Sequence, residues 1–292
     1  MKDTFSSYHP ITCMSYFILV IGLGMFIMNP IFLGISLIGA FCYEVYLEGI
    51  KKTGHELIFC LILCLMVGII NPLFNHEGIT ILTYLGDNPL TLESMYYGAS
   101  MAVLLLAVLI WFKCYRHVMT SDKLIYLIGR KLPALALIFS MTLRMIPLFK
   151  RQYEKVRRAQ EGIGNIPQNK NLFTHLKWGM KTLSIMITWL LENAVDTADS
   201  MKSRGYGLKG RTYFSIYRFE KRDALVMSIM GMIVGVLIIG NFNKAFYFRY
   251  FPSLKIEPMT KISMITYLAY GLLCMLPLIL HGVEDLKWHC IK

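Results

Sequence analysis

The chain has 292 residues, 55% of them apolar, a formal net charge of +12 and a mean hydropathy of +0.51. Such a composition excludes an ordinary soluble domain, in which long apolar runs are rare, and reads as an integral membrane protein. The basic excess does not indicate nucleic acid, because the Lys and Arg residues stand beside apolar spans, as membrane topology requires.

The first apolar stretch runs from about Ile11 to Met28 and the second from Pro30 to Glu48, joined through Asn29-Pro30 as a tight helical hairpin. With no small-residue cleavage pattern after it, the first stretch reads as a retained helix. Lys51 and Lys52 mark a return to the cytoplasmic side. A third span, Glu56 to Ile70, is short against the roughly 20 residues of an untilted crossing and is expected to continue to Phe74 with a break at Pro72. Residues 75–93 carry no Lys or Arg and are assigned outside. A fourth span covers about Ser94 to Phe112. Glu44 is the one acidic residue well inside an apolar span, a position that is by default a functional candidate. Glu48 lies one turn on, near the cytoplasmic end, so a structural pair or a hydrated helix end is the favoured reading.

Of the 30 Lys and Arg, 21 fall between Lys113 and Arg222, against seven acidic residues, which makes that region cytoplasmic. Residues 132–149 are again apolar but hold Pro133, Arg144 and Pro147. A charge at the bilayer centre costs about 2.5–3.5 kcal/mol, so the segment is read as a helix lying under the membrane. It then turns polar through Arg157 and Arg158, with Glu154 and Arg158 spaced to pair, and ends near Gly162 and Gly164. Ile166-Pro167-Gln168-Asn169 reverses the chain. A second long helix starts near Asn171, with Leu176, Met180, Leu183, Ile187, Leu190, Ala194, Ala198 and Met201 at alternating spacings of three and four on one face. It stops at Ser203-Arg204-Gly205-Tyr206-Gly207, where Gly205 can take the left-handed conformation that closes a helix. Arg204 is thereby held out at the end of a stalk. A lone cation here gains about 0.3–1 kcal/mol from the helix dipole, which accounts for the sign of the residue but not for the whole run. Five fixed donors on a permanent charge suit an acidic groove on another protein.

A fifth span, Asp223 to Gly240, and a sixth, Ile262 to Leu280, flank a loop with Phe242, Phe246, Tyr247, Phe248, Tyr250 and Phe251, read as interfacial anchors. Gly231 and Gly235 form a small-residue pair that serves either internal helix packing or contact with a second membrane subunit. The expected fold is all-α and polytopic, with about six spans and a cytoplasmic pair of long amphipathic helices. The divisions are 1–112, 113–221 and 222–292, and both chain ends are cytoplasmic.

No catalytic set appears. Gly207-Leu208-Lys209-Gly210-Arg211-Thr212 lacks the spacing of a phosphate-binding loop and reads as a basic turn, so ATP hydrolysis is not expected of this chain. The seven cysteines form no disulfide framework, and Cys60 with Cys64 reads as packing. His76 and His281 read as loop and interface residues. No metal site and no cofactor is expected.

The run from Glu192-Asn193-Ala194 through Ser200-Met201-Lys202-Ser203-Arg204-Gly205-Tyr206-Gly207 resembles the second coupling motif of the transmembrane (T) component of energy-coupling factor transporters. Asn71-Pro72-Leu73-Phe74 with Gly78-Ile79-Thr80, and Arg144-Met145-Ile146-Pro147 with Ala159-Gln160, extend the resemblance in the same order. The resemblance implies a cell-membrane subunit that joins two cytoplasmic ABC ATPases to a small substrate-binding membrane subunit for vitamin or metal-ion uptake, cobalt included. Ser203, Arg204 and Gly205 become one docking tip. At the other tip the family pattern is Ala-Gln, two residues, then Arg-Gly. This chain reads Ala159-Gln160-Glu161-Gly162-Ile163-Gly164, with Ile163 where the arginine belongs, so either Arg157 or Arg158 substitutes or the facing groove is apolar. The alternatives are a permease of another ATP-driven importer and, from a different class, a polytopic membrane enzyme.

Overall fold

The computed structural model describes residues 4–75, 77–85, 88–164, 172–206, 208, 217–256 and 260–291. Contacts divide the chain into two units, residues 1–124 with 217–292 and residues 125–216. The first opens with a 3-10 turn, Phe5–Ser7, and continues through α1 (Pro10–Phe26), α2 (Pro30–Glu48), α3 (Ile50–Phe74), β1 (Ile81–Leu85), β2 (Asn88–Thr91) and α4 (Leu92–Val118). The division falls inside α5 (Ser121–Lys131), and the second unit holds α6 (Pro133–Gly162) and α7 (Leu172–Ser203). The first unit resumes with α8 (Lys221–Phe242), β3 (Phe248–Arg249), β4 (Lys255–Ile256) and α9 (Lys261–Ile291). Helices α2, α4, α6, α8 and α9 are long and apolar enough to cross a membrane, and α1 and the Cys60–Phe74 part of α3 are shorter apolar helices. The protein is an all-α polytopic membrane protein.

Both α1 and α2 begin with a side-chain cap followed by proline at the first helical position. His9 Nδ1 accepts from Ile11 N at 3.2 Å and Asn29 Oδ1 from Ile31 N at 3.0 Å. The capped donors and the preset proline φ start each helix abruptly, which keeps the α1–α2 connection as tight as expected. The core of this unit is aromatic. Tyr16, Phe17, Tyr43 and Trp111 are all at most 1% exposed, and the rings of Tyr16 and Phe17 stand edge-on to Trp111 at 6.1 and 6.4 Å. Trp111 Nε1 donates to Ser36 Oγ at 3.0 Å, so its one polar atom is satisfied inside the core. Tyr16 OH donates to the Cys274 carbonyl at 3.2 Å and ties α1 to α9.

Helix α3 continues past Pro72 to Phe74 instead of ending there. Proline at 72 leaves the Gly68 carbonyl without its helical donor, and α4 passes that point on a glycine. A Cβ at Gly98 would lie 2.9 Å from the Gly68 oxygen and 3.1 Å from Pro72 Cδ. The expected plain loop between the third and fourth spans contains the antiparallel β1–β2 hairpin. Its base is held by Thr91, which caps α4 at Ser94 N, and by Glu93, which accepts from Thr80 Oγ1 at 2.7 Å. The run Ile79-Thr80-Ile81-Leu82-Thr83-Tyr84-Leu85 before Gly86-Asp87-Asn88-Pro89 carries that hairpin signal in β-branched residues and turn formers. The aromatic loop divides its rings. Phe242 and Tyr247 are exposed, whereas Phe246 and Tyr250 are buried, the latter donating to the Met28 carbonyl at 3.0 Å.

In the second unit α6 and α7 pack on each other. On α7 Thr182 and Met186 are buried and Trp178, Ile185, Trp189, Asn193, Thr197 and Met201 half-buried; on α6 Ala136 and Val156 are buried, and Met141, Met145, Gln152 and Gln160 are among the half-buried positions. The apolar face read from the sequence of α7 therefore points outward: Leu176 and Met180 are each 65% exposed and Leu183 is 55% exposed. Periodicity located the stripe, but the stripe is not what this helix buries within its own chain. Pro147 lies inside α6 without ending it.

Candidate functional site

The last turn of α7 closes through two hydrogen bonds, Tyr206 N to the Met201 carbonyl at 3.1 Å and Gly205 N to the Lys202 carbonyl at 3.0 Å, with Gly205 at φ +76°. That six-to-one and five-to-two pair is a Schellman closure, which satisfies the terminal carbonyls and turns the chain sharply away. Arg204 is the last residue before the left-handed glycine and is exposed. Among the described residues its guanidinium engages no carboxylate. Ser203 Oγ donates to the Ser200 carbonyl at 2.8 Å, which leaves the hydroxyl turned back on the helix. The Asp199 carboxylate lies 3.9 Å from Lys202 Nζ, both well exposed, so this pair fixes little. Gly207 and Lys209 through Thr212 lie outside the described residues.

The end of α6 shares the left-handed glycine and the five-to-two bond. Ile163 N donates to the Ala159 carbonyl at 3.2 Å, Gly164 N to the Glu161 carbonyl at 3.0 Å, and Gly164 takes φ +74°. Ile163, 76% exposed, thus holds the position before a left-handed glycine that Arg204 holds on α7. Gly162 remains helical, and Gln160 is half-buried. Arg157, one candidate substitute for the missing arginine, donates from Nε to Glu161 Oε1 at 2.9 Å. That pair takes the place of the anticipated Glu154–Arg158 pair. Arg158 is exposed. The turn expected over Ile166 to Asn169 lies outside the described residues.

Gly231 and Gly235 on α8 face open space, with nothing within 4 Å of a Cβ built at either. Close helix approach within the chain occurs elsewhere, as at Gly39, where a Cβ would lie 2.6 Å from Cys274 Cβ. Glu44 is 4% exposed and pairs with Lys113 of α4, whose ammonium also lies 3.1 Å from Glu48 Oε2. The intramembrane carboxylate is thus one arm of an ion-paired cluster, and Lys113, at the end of its span, was the sequence sign of it. His281 is held between Thr4 Oγ1 at 2.8 Å on Nδ1 and the Tyr46 hydroxyl at 2.7 Å on Nε2, with Asp285 at 3.0 Å. The Tyr8 phenol has its pKa raised by burial first and by Glu284 second, and stays neutral beneath the Arg222 guanidinium, 5.4 Å from its ring centre. Cys13, Cys42, Cys60, Cys64, Cys114 and Cys274 are free thiols. Among the described residues no three His, Cys, Asp or Glu side chains converge as metal ligands do.

No family model matches the chain. It is 28% identical over 223 residues to the energy-coupling factor transporter transmembrane protein EcfT of Listeria innocua, which covers 68% of this chain and 80% of that protein. It is 30% identical over 106 residues to EcfT of Lactobacillus helveticus and to EcfT 1 of Listeria monocytogenes, in each case 36% of this chain. Those two matches span 38% and 40% of the relatives' own lengths. With its polytopic helical architecture, the chain is a homologue of the transmembrane components of energy-coupling factor transporters.

Proposed function

We propose that this protein is the coupling subunit of an energy-coupling factor type of ABC importer in the cell membrane. It passes the motion of two cytoplasmic ATPases to a small substrate-binding membrane subunit for vitamin or metal-ion uptake. The observation that carries this reading is the paired helix ends: two long helices that pack together, each closed by a left-handed glycine, with exposed Ile163 and Arg204 before the glycine. The excess of Lys and Arg between Lys113 and Arg222 supports a cytoplasmic position for both ends.

Nucleotide-driven closure of the ATPases displaces docked tips. At 1.5 Å per residue the 32 residues of α7 extend about 48 Å, long enough to carry a displacement from a soluble subunit to the bilayer. An unbroken ladder of hydrogen bonds resists bending, so a shift at the tip arrives at the far end of the helix. Arg204 supplies ionic docking through a planar fork that matches a carboxylate, and Ile163 supplies an apolar contact. The exposed apolar faces of α6 and α7 are suited to lipid or to the substrate-binding subunit.

Co-purification from native membranes tests the reading. Two ATPases and a small hydrophobic subunit are expected with the wild-type chain. Arg204→Ala should weaken ATPase docking by about 2–5 kcal/mol, the usual cost of leaving a buried partner charge unpaired. ATPases alone indicate a permease of another importer, and absence of both partners contradicts the proposal.

A further inference from the structure

The chain leaves the first unit after Leu124 and returns to it at Tyr217, so whatever moves the second unit acts on the first through these two connections. Both are fastened to the same short segment, the turn Thr4–His9. On the outgoing side Lys123, 4% exposed, donates to the Ser6 carbonyl at 2.7 Å, the Val118 carbonyl at 2.9 Å and Ser6 Oγ at 3.3 Å. An ammonium has three donors, and these three oxygens can occupy all of them. On the returning side Asp223, 2% exposed, accepts from His9 N at 2.8 Å and from Glu220 N at 3.0 Å, inside the capping box that starts α8. The turn is itself anchored: Phe5 is fully buried against Tyr16 and Phe17, and Cys13 Sγ donates to the Phe5 carbonyl. Burying an ammonium or a carboxylate is unfavourable unless its hydrogen bonds are replaced. Here each charge finds part of its replacements on the same four-residue stretch, Lys123 at Ser6 and Asp223 at His9.

We propose that the turn Thr4–His9 is a clasp that locks both connections to the membrane helices, with Lys123 and Asp223 as positioning residues through which a displacement of α6 and α7 reaches α1, α4 and α8. A flexible linker would absorb such a displacement, whereas two charge-assisted fastenings to one buried turn make the two connections move with the helices they enter. The inference rests on the coupling function for its consequence, but the clasp is testable without it.

The experiment is amide hydrogen exchange on the full chain, with whatever subunits co-purify, in lipid nanodiscs with and without ATP plus vanadate. Lys123→Met keeps the length of the side chain and removes the donors. Losing hydrogen bonds to a charged group should speed exchange over residues 4–9 and 217–223 by about 10- to 100-fold, with the aromatic core around Trp111 unchanged. The change in α1, α4 and α8 exchange that nucleotide induces in the wild type should be lost, although the ATPases still co-purify. Asp223→Asn should loosen residues 4–9 in the same way. Faster exchange confined to residues 121–124, or a nucleotide response that survives in Lys123→Met, overturns the proposal. So does loss of core protection in both variants, since the clasp would then be inseparable from the fold. A wild-type preparation without ATPases removes the coupling reading alone, and the exchange at residues 4–9 still decides whether the clasp exists.

Discussion

The two units use apolar side chains in opposite ways. In the first, rings from α1, α2 and α4 close on one another until Tyr16, Tyr43 and Trp111 are sealed, and charged groups such as Glu44 and Lys113 meet inside the chain. In the second, Leu176, Met180, Leu183 and Ile187 stay outward while Thr182, Met186 and Asn193 lie on the enclosed face of the pair. The difference separates a unit that closes a ring-lined core within its own chain, while α3, α8 and α9 still expose apolar residues such as Met66, Met232 and Leu268, from a pair of helices that buries few large side chains. It also places the two exposed tips on the unit with the least internal core.

The comparison breaks most visibly if a core substitution in the first unit is tolerated. Trp111→Ala should cost about 3–5 kcal/mol, read as a lower unfolding temperature in detergent, since it empties a ring-lined site and strands the Ser36 hydroxyl. Wild-type unfolding would mean that this unit is not closed around that ring. At the tip of α6, Ile163→Asp should weaken ATPase assembly by about 1–3 kcal/mol by placing a charge in an apolar contact, and Ile163→Leu should not. Equal assembly of the two variants would show that this tip is undocked. Gly205→Ala should cost about 1–2 kcal/mol in the turn that presents Arg204, because a Cβ is strained at φ +76°. Hydrogen exchange at residues 201–206 would reveal the frayed turn, and unchanged protection would contradict the closure described. Leu183→Ser should change the stability of the isolated chain by no more than about 0.5 kcal/mol, as expected for an exposed position. A large loss in detergent would show that the outward face is packed after all.

Much of this was legible in the sequence where a local rule decides the outcome. Asn29-Pro30 set a helix start, Ser203-Arg204-Gly205 set a helix stop, and the length of the apolar runs set the membrane class. The equivalence of Ile163 and Arg204 was legible as spacing, and the geometry adds that both precede a left-handed glycine. What escaped the sequence depends on partners distant in the chain. Pro72 reads as a break until Gly98 is seen to let another helix pass beside it. The α7 stripe was legible as one face of the helix, but periodicity reports amphipathicity, not which face a neighbour covers. Lys123 was only one of the many basic residues after Lys113, and Asp223 only marked the start of the fifth span. Their meaning comes from Ser6 and His9, more than 100 residues away in each case.

The most direct test of a docked arginine tip is photo-crosslinking beside it. With p-benzoylphenylalanine in place of Tyr206, two residues from Arg204, irradiation of native membranes should give an adduct whose mass adds one ATPase subunit, and Arg204→Ala in the same chain should abolish it. Adducts to lipid alone, or an ATPase adduct equally strong with and without the Arg204 guanidinium, would contradict the account.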